Sequence, residues 1–294
     1  MKRLVFIAKG KRGIVYKARY KGRVCAVKLK HPKSQATGNL EKEYKALKLL
    51  NRYGIGPKAY GFEDGKLFME LIEGEPIARF IEHGERERLL DVIRDVLKQL
   101  RVLDKIGYNK MELVNPYKHI IVTDNRAVLI DFERIRSTKK PKNITQFLTY
   151  LTKEKVSRNL AAKGIFIIKD KIRELGKRYK ANPTEQNFRA ILDEVLQKGF
   201  QARVYYATMK IPRGKVTSYK GIAEYLGTKA YRAVGNALNK NPFAPLVPCH
   251  RVVANNLELG GFSSGLAKKI KLLKGEGVRI KDGKVAKEHF VRLL

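Results

Sequence analysis

Val247-Pro248-Cys249-His250-Arg251-Val252 sets a thiol beside an imidazole, inside an apolar run entered through a proline. A cysteine next to a base is a nucleophile that can lose its proton locally. The thiolate is the reactive form, and an ordinary thiol titrates near ~8.5, so a neighbouring base or positive field matters. Pro248 restricts its own φ and disfavours helix in the residue before it, so the stretch reads as a short rigid turn at the floor of a pocket. Alone, the pair does not separate a nucleophile from a core residue, because free cysteine commonly packs as a small hydrophobe.

The surroundings separate them. Upstream lie Ile211-Pro212-Arg213-Gly214-Lys215-Val216, Ser218-Tyr219, Ala230-Tyr231-Arg232-Ala233-Val234-Gly235 and Asn241-Pro242. Downstream lie Gly260-Gly261-Phe262-Ser263-Ser264-Gly265-Leu266 and Leu272-Leu273-Lys274-Gly275-Glu276-Gly277. The local pattern reads as a helix over Phe200–Met209, a break at Ile211-Pro212, and a helix Tyr219–Leu226 capped by Ser218. Gly227 then turns the chain into a second helix, Ala230–Leu238, rich in small residues. Two short helices around a Gly-bearing turn make a helix-turn-helix signature.

In this order and spacing the motifs resemble the active-site domain of the O6-alkylguanine-DNA alkyltransferases, also called methylated-DNA–protein-cysteine methyltransferases, over about Phe200 to Leu294. The resemblance implies a mostly α-helical winged-helix/helix-turn-helix domain whose second helix enters the minor groove of double-stranded DNA carrying O6-alkylguanine, with O4-alkylthymine admitted as a second substrate. It implies that the damaged nucleotide is flipped out, at a few kcal/mol, and that Arg232 fills the vacated stack. Cys249 would attack the alkyl carbon, His250 take the thiol proton, Glu276 orient the imidazole and Tyr219 assist proton donation to the departing guanine. Asn241 would brace the helix pair against the active-site turn. Arg251, Val252, Phe262 and Ser263 complete the implied DNA and base contacts, with the Cys249 and Val252 carbonyls and the Ser263 amide reading the guanine edge. No cofactor is implied for this single-turnover step. Two positions depart from the family: Phe262 stands for a tyrosine, and Ser264 for a glycine in the closing loop, which would narrow tolerance for bulky adducts.

The other two-thirds of the chain read differently. Leu4–Ile7, Ile14–Ala18 and Val24–Lys28 read as strands, the last two joined by a Lys21-Gly22 turn. A helix is expected from Asn39 to Leu50, strands around Ala59–Phe62 and Leu67–Ile72, and a long helix over Glu85–Ile106. From Pro141 to Lys198 the pattern is all-helical: Asn143–Lys163, Asp170–Lys180 and Thr184–Lys198. The order resembles a protein-kinase-like fold of the reduced RIO type, with a small β lobe and a reduced helical lobe. That resemblance implies ATP and Mg²⁺ as ligands. Gly10 and Gly13 would cover phosphates, Lys28 grip them, Glu43 pair with Lys28 and residues 70–74 form the hinge. Asp131 of Asp131-Phe132-Glu133 would bind Mg²⁺. The catalytic loop departs from the family: Glu112 stands for the base aspartate and His119 for the metal-binding asparagine, where imidazole suits Mg²⁺ poorly. The expected fold class is thus α+β in two domains, 1–198 kinase-like and 199–294 alkyltransferase-like.

Composition bounds these readings. The chain has 294 residues and a formal charge of +35, which favours a polyanionic partner, nucleic acid or a membrane surface. Basic charge is not confined to one part: residues 200–294 carry 18 Lys and Arg against 5 Asp and Glu, and the rest carry 45 against 23. No apolar run approaches the ~20 residues that span a bilayer, and the N-terminus lacks a signal-peptide pattern. A cytoplasmic, nucleoid-associated monomer without a membrane partner is expected. The two cysteines, Cys25 and Cys249, make no disulfide framework. The leading reading is DNA repair by alkyl transfer to Cys249, fused to a kinase-like domain. Its rival is an atypical serine/threonine kinase or pseudokinase whose C-terminal part only binds damaged DNA.

Overall fold

The computed structural model describes residues 4–10, 12–32 and 40–293. Lys11 of the glycine-bearing loop, the expected helix start at Asn39 and the terminal Leu294 lie outside them. Contacts divide the chain into two compact units, Met1–Val156 with Asp170–Leu192, and Ser157–Lys169 with Asp193–Leu294.

The first unit begins with β1 (Val5–Lys9), β2 (Gly13–Tyr20) and β3 (Arg23–Lys30), the three strands read from the sequence. Lys21 and Gly22 join β2 to β3 with φ of 48° and 82°, the all-positive pattern of a two-residue hairpin turn, and Tyr20 pairs Arg23 across it. Helix α1 (Leu40–Asn51) buries Leu40, Glu43, Leu47 and Leu50, one face at helical spacing. Asn51 ends α1 by donating to the Ile55 and Pro57 carbonyls and accepting from the Ala59 amide, which shapes the Gly-Ile-Gly-Pro break. Strands β4 (Ala59–Glu63) and β5 (Lys66–Met69) complete a five-stranded antiparallel sheet in the order β1-β2-β3-β5-β4. Strand β5 stops at Met69, so residues 70–72 are not strand as expected; Glu70 instead accepts from the Lys58 amide and pairs with Arg126. At the edge, β1 leaves Leu4, Val5, Phe6 and Ile7 exposed.

Below the sheet come β6 (Glu75–Pro76), α2 (Ile77–His83) and α3 (Arg86–Lys105), whose buried face runs from Leu89 to Leu103. Gly74 precedes β6 because a Cβ there would stand 2.3 Å from the Val122 carbonyl. Then follow β7 (Tyr108–Asn109), β8 (Ile120–Val122), β9 (Ala127–Leu129) and β10 (Arg136–Ser137), with β6, β8 and β9 forming a three-stranded sheet. The helix expected over 143–163 is two, α4 (Asn143–Leu151) and α5 (Glu154–Ala162). The break falls at Thr152-Lys153, where the Lys153 amide donates to the Tyr150 carbonyl three residues back and the Thr152 hydroxyl to the Thr149 carbonyl. Helices α6 (Lys169–Ala181) and α7 (Glu185–Val195) follow.

The second unit contains α8 (Phe200–Met209), β11 (Thr217–Ser218), α9 (Tyr219–Tyr225) and α10 (Tyr231–Asn239). Ser218 caps α9 by accepting from the Gly221 amide at 3.0 Å, as its sequence position predicts. Gly227 (φ 70°) makes the turn between α9 and α10. A one-turn 3-10 helix spans Cys249–Arg251 and leads into β12 (Val252–Val253), which pairs in parallel with β11. Helix α11 (Leu266–Gly275) and a hairpin of β13 (Ile280–Lys281) and β14 (Lys284–Val285) finish the unit. Its core joins Val204, Tyr205, Ile222, Val234, Val247 and Val252.

Candidate active site and nucleotide cleft

Pairing of Thr217 with Val252 and Ser218 with Val253 brings the start of α9 beside the Cys249 turn. Tyr219, Gly235, Cys249, Phe262 and Ser263 therefore line one cavity of about 260 Å³, smaller than the ~300–1,000 Å³ of ordinary small-molecule pockets. Cys249 is 8% exposed at its floor. Asn241 Nδ2 donates both to Cys249 Sγ at 3.3 Å and to the Val247 carbonyl at 3.0 Å, while its Oδ1 accepts from the Phe243 amide. One amide thus ties the sulfur to the end of the helix pair. Burial raises the Tyr219 phenol's pKa, and negative charge at Cys249 adds to this.

Next along the chain from Cys249, His250 Nε2 lies 2.9 Å from Glu276 Oε1. Glu276 also accepts from Arg251 Nε and Nη2, both at 2.8 Å, and from the Gly214 amide at 3.3 Å. Burial works against its charge, but the bonds from Arg251 and His250 outweigh it and hold the carboxyl at about 2. Burial also lowers the His250 pKa, against the pull of Glu276. The imidazole is therefore neutral at neutral pH, and a Nε2–H directed at Glu276 leaves Nδ1 to accept a proton.

The other expected residues fall unevenly around this centre. Arg232 is exposed on α10. Ser263 is exposed and Phe262 half-buried at the cavity rim. Val252 is fully buried. Arg251 turns inward instead of toward a DNA surface: two of its nitrogens serve Glu276, and Nη1 donates to the Ile211 carbonyl at 2.7 Å. The sequence reading missed Lys269, which is fully buried on α11 and donates to the carbonyls of Val252 and Leu259. Burial lowers its pKa to about 8. Its signal was a lysine four residues before Leu273 on one buried helix face.

In the first unit, Lys28 Nζ lies 2.7 Å from Glu43 Oε2 and 3.1 Å from Asp131 Oδ1. Burial opposes the charge of Lys28, but the two carboxylates outweigh it and keep the ammonium on. Glu43 also accepts from the Phe132 amide at 3.1 Å, so α1, β3 and the 131–133 segment meet at one carboxylate. Gly13 stands against Lys28, where a Cβ would come within 3.0 Å of Lys28 Cε, and the Gly10 amide donates to the Gly13 carbonyl. Asp131 has φ 63°, a left-handed conformation that costs a non-glycine residue about 1–3 kcal/mol. A second buried lysine, unrecognised in the sequence, holds it there: Lys110 Nζ donates to the Asp131 carbonyl and sits 4.9 Å from the Phe132 ring. Glu112 lies 3.6 Å from Lys110 and 3.6 Å from Arg134. His119 Nδ1 lies 3.7 Å from Asp131 Oδ2. Glu112 Oε2 and His119 Nδ1 are buried atoms without hydrogen-bond partners. Glu112 Oε2 is the atom that faces Lys110 Nζ, and among the described residues no group of three or more His, Cys, Asp or Glu side chains could hold a metal ion.

A thiol–imidazole–carboxylate pocket beside a helix-turn-helix, and a Lys–Glu–Asp cleft under a five-stranded sheet, define an alkyltransferase-like part joined to a kinase-like part. Residues 2–153 match the RIO domain family, and residues 199–278 match the family described as 6-O-methylguanine DNA methyltransferase, DNA binding domain. The first match spans more than half of the sequence, and the chain belongs to the RIO domain family. Among curated proteins, the methylated-DNA–protein-cysteine methyltransferase of Metallosphaera sedula is 55% identical over 82 residues, 28% of this chain and 51% of that protein. The enzyme of the same name from Saccharolobus solfataricus is 53% identical over 81 residues, 28% of this chain and 52% of that protein. The chain thus spans about half the length of these relatives. Among solved structures, Mycobacterium tuberculosis OGT in complex with DNA is 45% identical, covering 26% of this chain and 48% of that one, with a TM-score of 0.26. No described helix is long and apolar enough to cross a membrane.

Proposed function

We propose that this chain repairs DNA by moving an alkyl group from O6-alkylguanine, and from O4-alkylthymine, in duplex DNA onto Cys249. The carrying observation is the sulfur lining the 260 Å³ cavity, with the next residue in the chain, His250, bonded to Glu276. A target base flips out of the duplex, Arg232 enters the gap, and the base lodges against Tyr219, Phe262 and Ser263. The thiol proton passes to His250 Nδ1 through water. Sγ then forms a bond to the alkyl carbon as the carbon–O6 bond breaks, and the electron pair stays on the guanine ring. Tyr219 donates the proton that releases neutral guanine. Glu276 stabilises the imidazolium. The thioether is stable, so each molecule acts once, and this step uses only the chain's own groups.

Function is assigned to 199–294 for transfer and to 1–198 for a serine/threonine kinase-like part that binds ATP between the Gly10–Gly13 turn and Lys28. Glu112 would act as base there, and Asp131 would hold a divalent ion, which would supply positive charge beside the phosphates. The protein works as a monomer in the cytoplasm at the nucleoid. The rival reading, a kinase with a DNA-tethering tail, is not favoured, because a tether has no use for a thiol held by Asn241 beside a neutral imidazole. Labelled methyl moving from O6-methylguanine duplex to protein, and lost in Cys249→Ala, tests the transfer. Full transfer in that variant would refute it.

A further inference from the structure

A cavity of about 560 Å³ lies where the β13–β14 hairpin meets the end of α11. Its size falls within the ~300–1,000 Å³ of ordinary ligand pockets. Buried Val278 and Val285 and half-buried Ile280 wall it, and all three belong to the core cluster that includes Leu273 of α11. Its rim is Lys274, Arg279, Lys281 and Lys284, all exposed, and no acidic side chain is part of its lining. The Asp282-Gly283 turn, with φ of 50° and 73°, closes the hairpin and sets Lys281 directly opposite Lys284. Like charges facing each other across a strand pair are destabilising. Arg279 has Glu288 at 2.8 Å and Lys284 has Glu258 at 3.8 Å, whereas Lys274 and Lys281 have no ion-pair partner among the described residues.

These features select an occupant. The wall calls for an apolar group, and the unpaired ammonium groups call for anions at its edge. A nucleic-acid backbone supplies the anions but nothing apolar to fill the hollow. A membrane surface is entered by apolar side chains that project from a protein, and here they line a recess. We propose that this cavity docks an acidic segment of a partner protein. One bulky apolar side chain of that segment seats against Val278, Ile280 and Val285, and flanking carboxylates pair with Lys274 and Lys281. An anchor side chain in a desolvated pocket inside a polar rim is the arrangement that concentrates affinity in protein interfaces. The carboxylates also relieve the repulsion between Lys281 and Lys284. The cavity shares no lining residue with the one that holds Cys249, so it can be altered without touching the transfer site.

The test uses the full chain and a fluorescein-labelled peptide of Asp and Glu around a single Phe, beside the same peptide with Ala in place of Phe. Affinity is read by anisotropy at about 0.15 M salt, where exposed charges more than about 8 Å apart are screened. The place of binding is read from the methyl NMR signals of Val278, Ile280 and Val285. The expected result is that the Phe peptide shifts these signals and binds at least tenfold more tightly than the Ala peptide. Lys274→Glu with Lys281→Glu should weaken it at least tenfold, and Lys177→Glu with Lys180→Glu, an equal charge change on α6, less than threefold. The methyl arm needs no mutation, so misfolding of a variant cannot mask the result. Unmoved methyl signals, equal affinity for the two peptides, or equal loss in the two double variants overturns the proposal. Methyl signals that respond to unmodified duplex DNA or to anionic vesicles, and not to the peptide, overturn it in favour of that surface.

Discussion

Replacing Glu276 by glutamine keeps the side chain's shape and removes its charge. The carboxylate serves His250, two nitrogens of Arg251 and the Gly214 amide, and only 13% of its side chain is exposed. Breaking one partner of a buried ion pair costs about 3–5 kcal/mol. Glutamine can still accept one of these bonds, so the lower end, about 3 kcal/mol, is expected by urea denaturation. The transfer rate falls for a separate reason. Without the carboxylate, His250 loses both the partner that sets its tautomer and the charge that stabilises its protonated form, a loss of about 10²–10⁴-fold for a general base. Single-turnover transfer from labelled duplex, with rate measured against pH, reads this directly. The wild-type carboxyl is depressed to about 2 from an ordinary 4.5. Its stabilisation is therefore complete above about 4.5 and is lost as pH falls toward 2, and the glutamine variant should lack this acid decline. A variant that transfers within threefold of wild type, with unchanged pH dependence, would refute the assignment of His250 and Glu276.

Asn241→Ala removes the donor to Cys249 Sγ. Hydrogen bonds to charged groups contribute about 1.5–3 kcal/mol, so alkylation of Cys249 by iodoacetamide at neutral pH should slow about tenfold or more; an unchanged rate would show that the bond does not stabilise the thiolate. Lys28→Met strands Glu43, which is only 2% exposed, and should destabilise the first unit by about 3 kcal/mol. Adding Glu43→Gln should recover much of that loss in denaturation while nucleotide binding stays absent, and additive losses would contradict the pairing.

Much of this architecture is written in local chemistry. The Lys21-Gly22 turn dictates the β2–β3 hairpin because both residues take positive φ, and Ser218 announces α9 because its hydroxyl satisfies the Gly221 amide. What stayed hidden depends on contacts between distant segments. Lys110 and Lys269 look like surface residues until the carbonyls of Asp131, Val252 and Leu259 are brought to them. Arg251 is implied by the resemblance as a DNA or base contact, and its bonds to Glu276 appear only when the fold brings that carboxylate to it. Helix α11 sits between glycine-bearing loops, and its short apolar face is completed by residues from β12 and the final hairpin. The break between α4 and α5 falls at Thr152-Lys153, with no proline or glycine in the sequence to announce it.

The bare rim at β1 carries a separate consequence. Val5, Phe6 and Ile7 are solvent-facing on a strand that, among the described residues, is paired along one side only, the kind of border that zips onto a neighbouring molecule's border. With +35 charges per chain, like repels like before two such borders meet. Added electrolyte shortens that repulsion to about 3 Å near 1 M. Brine would then loosen any grip on nucleic acid and invite self-adhesion at once, so this molecule handles best where ionic strength is modest.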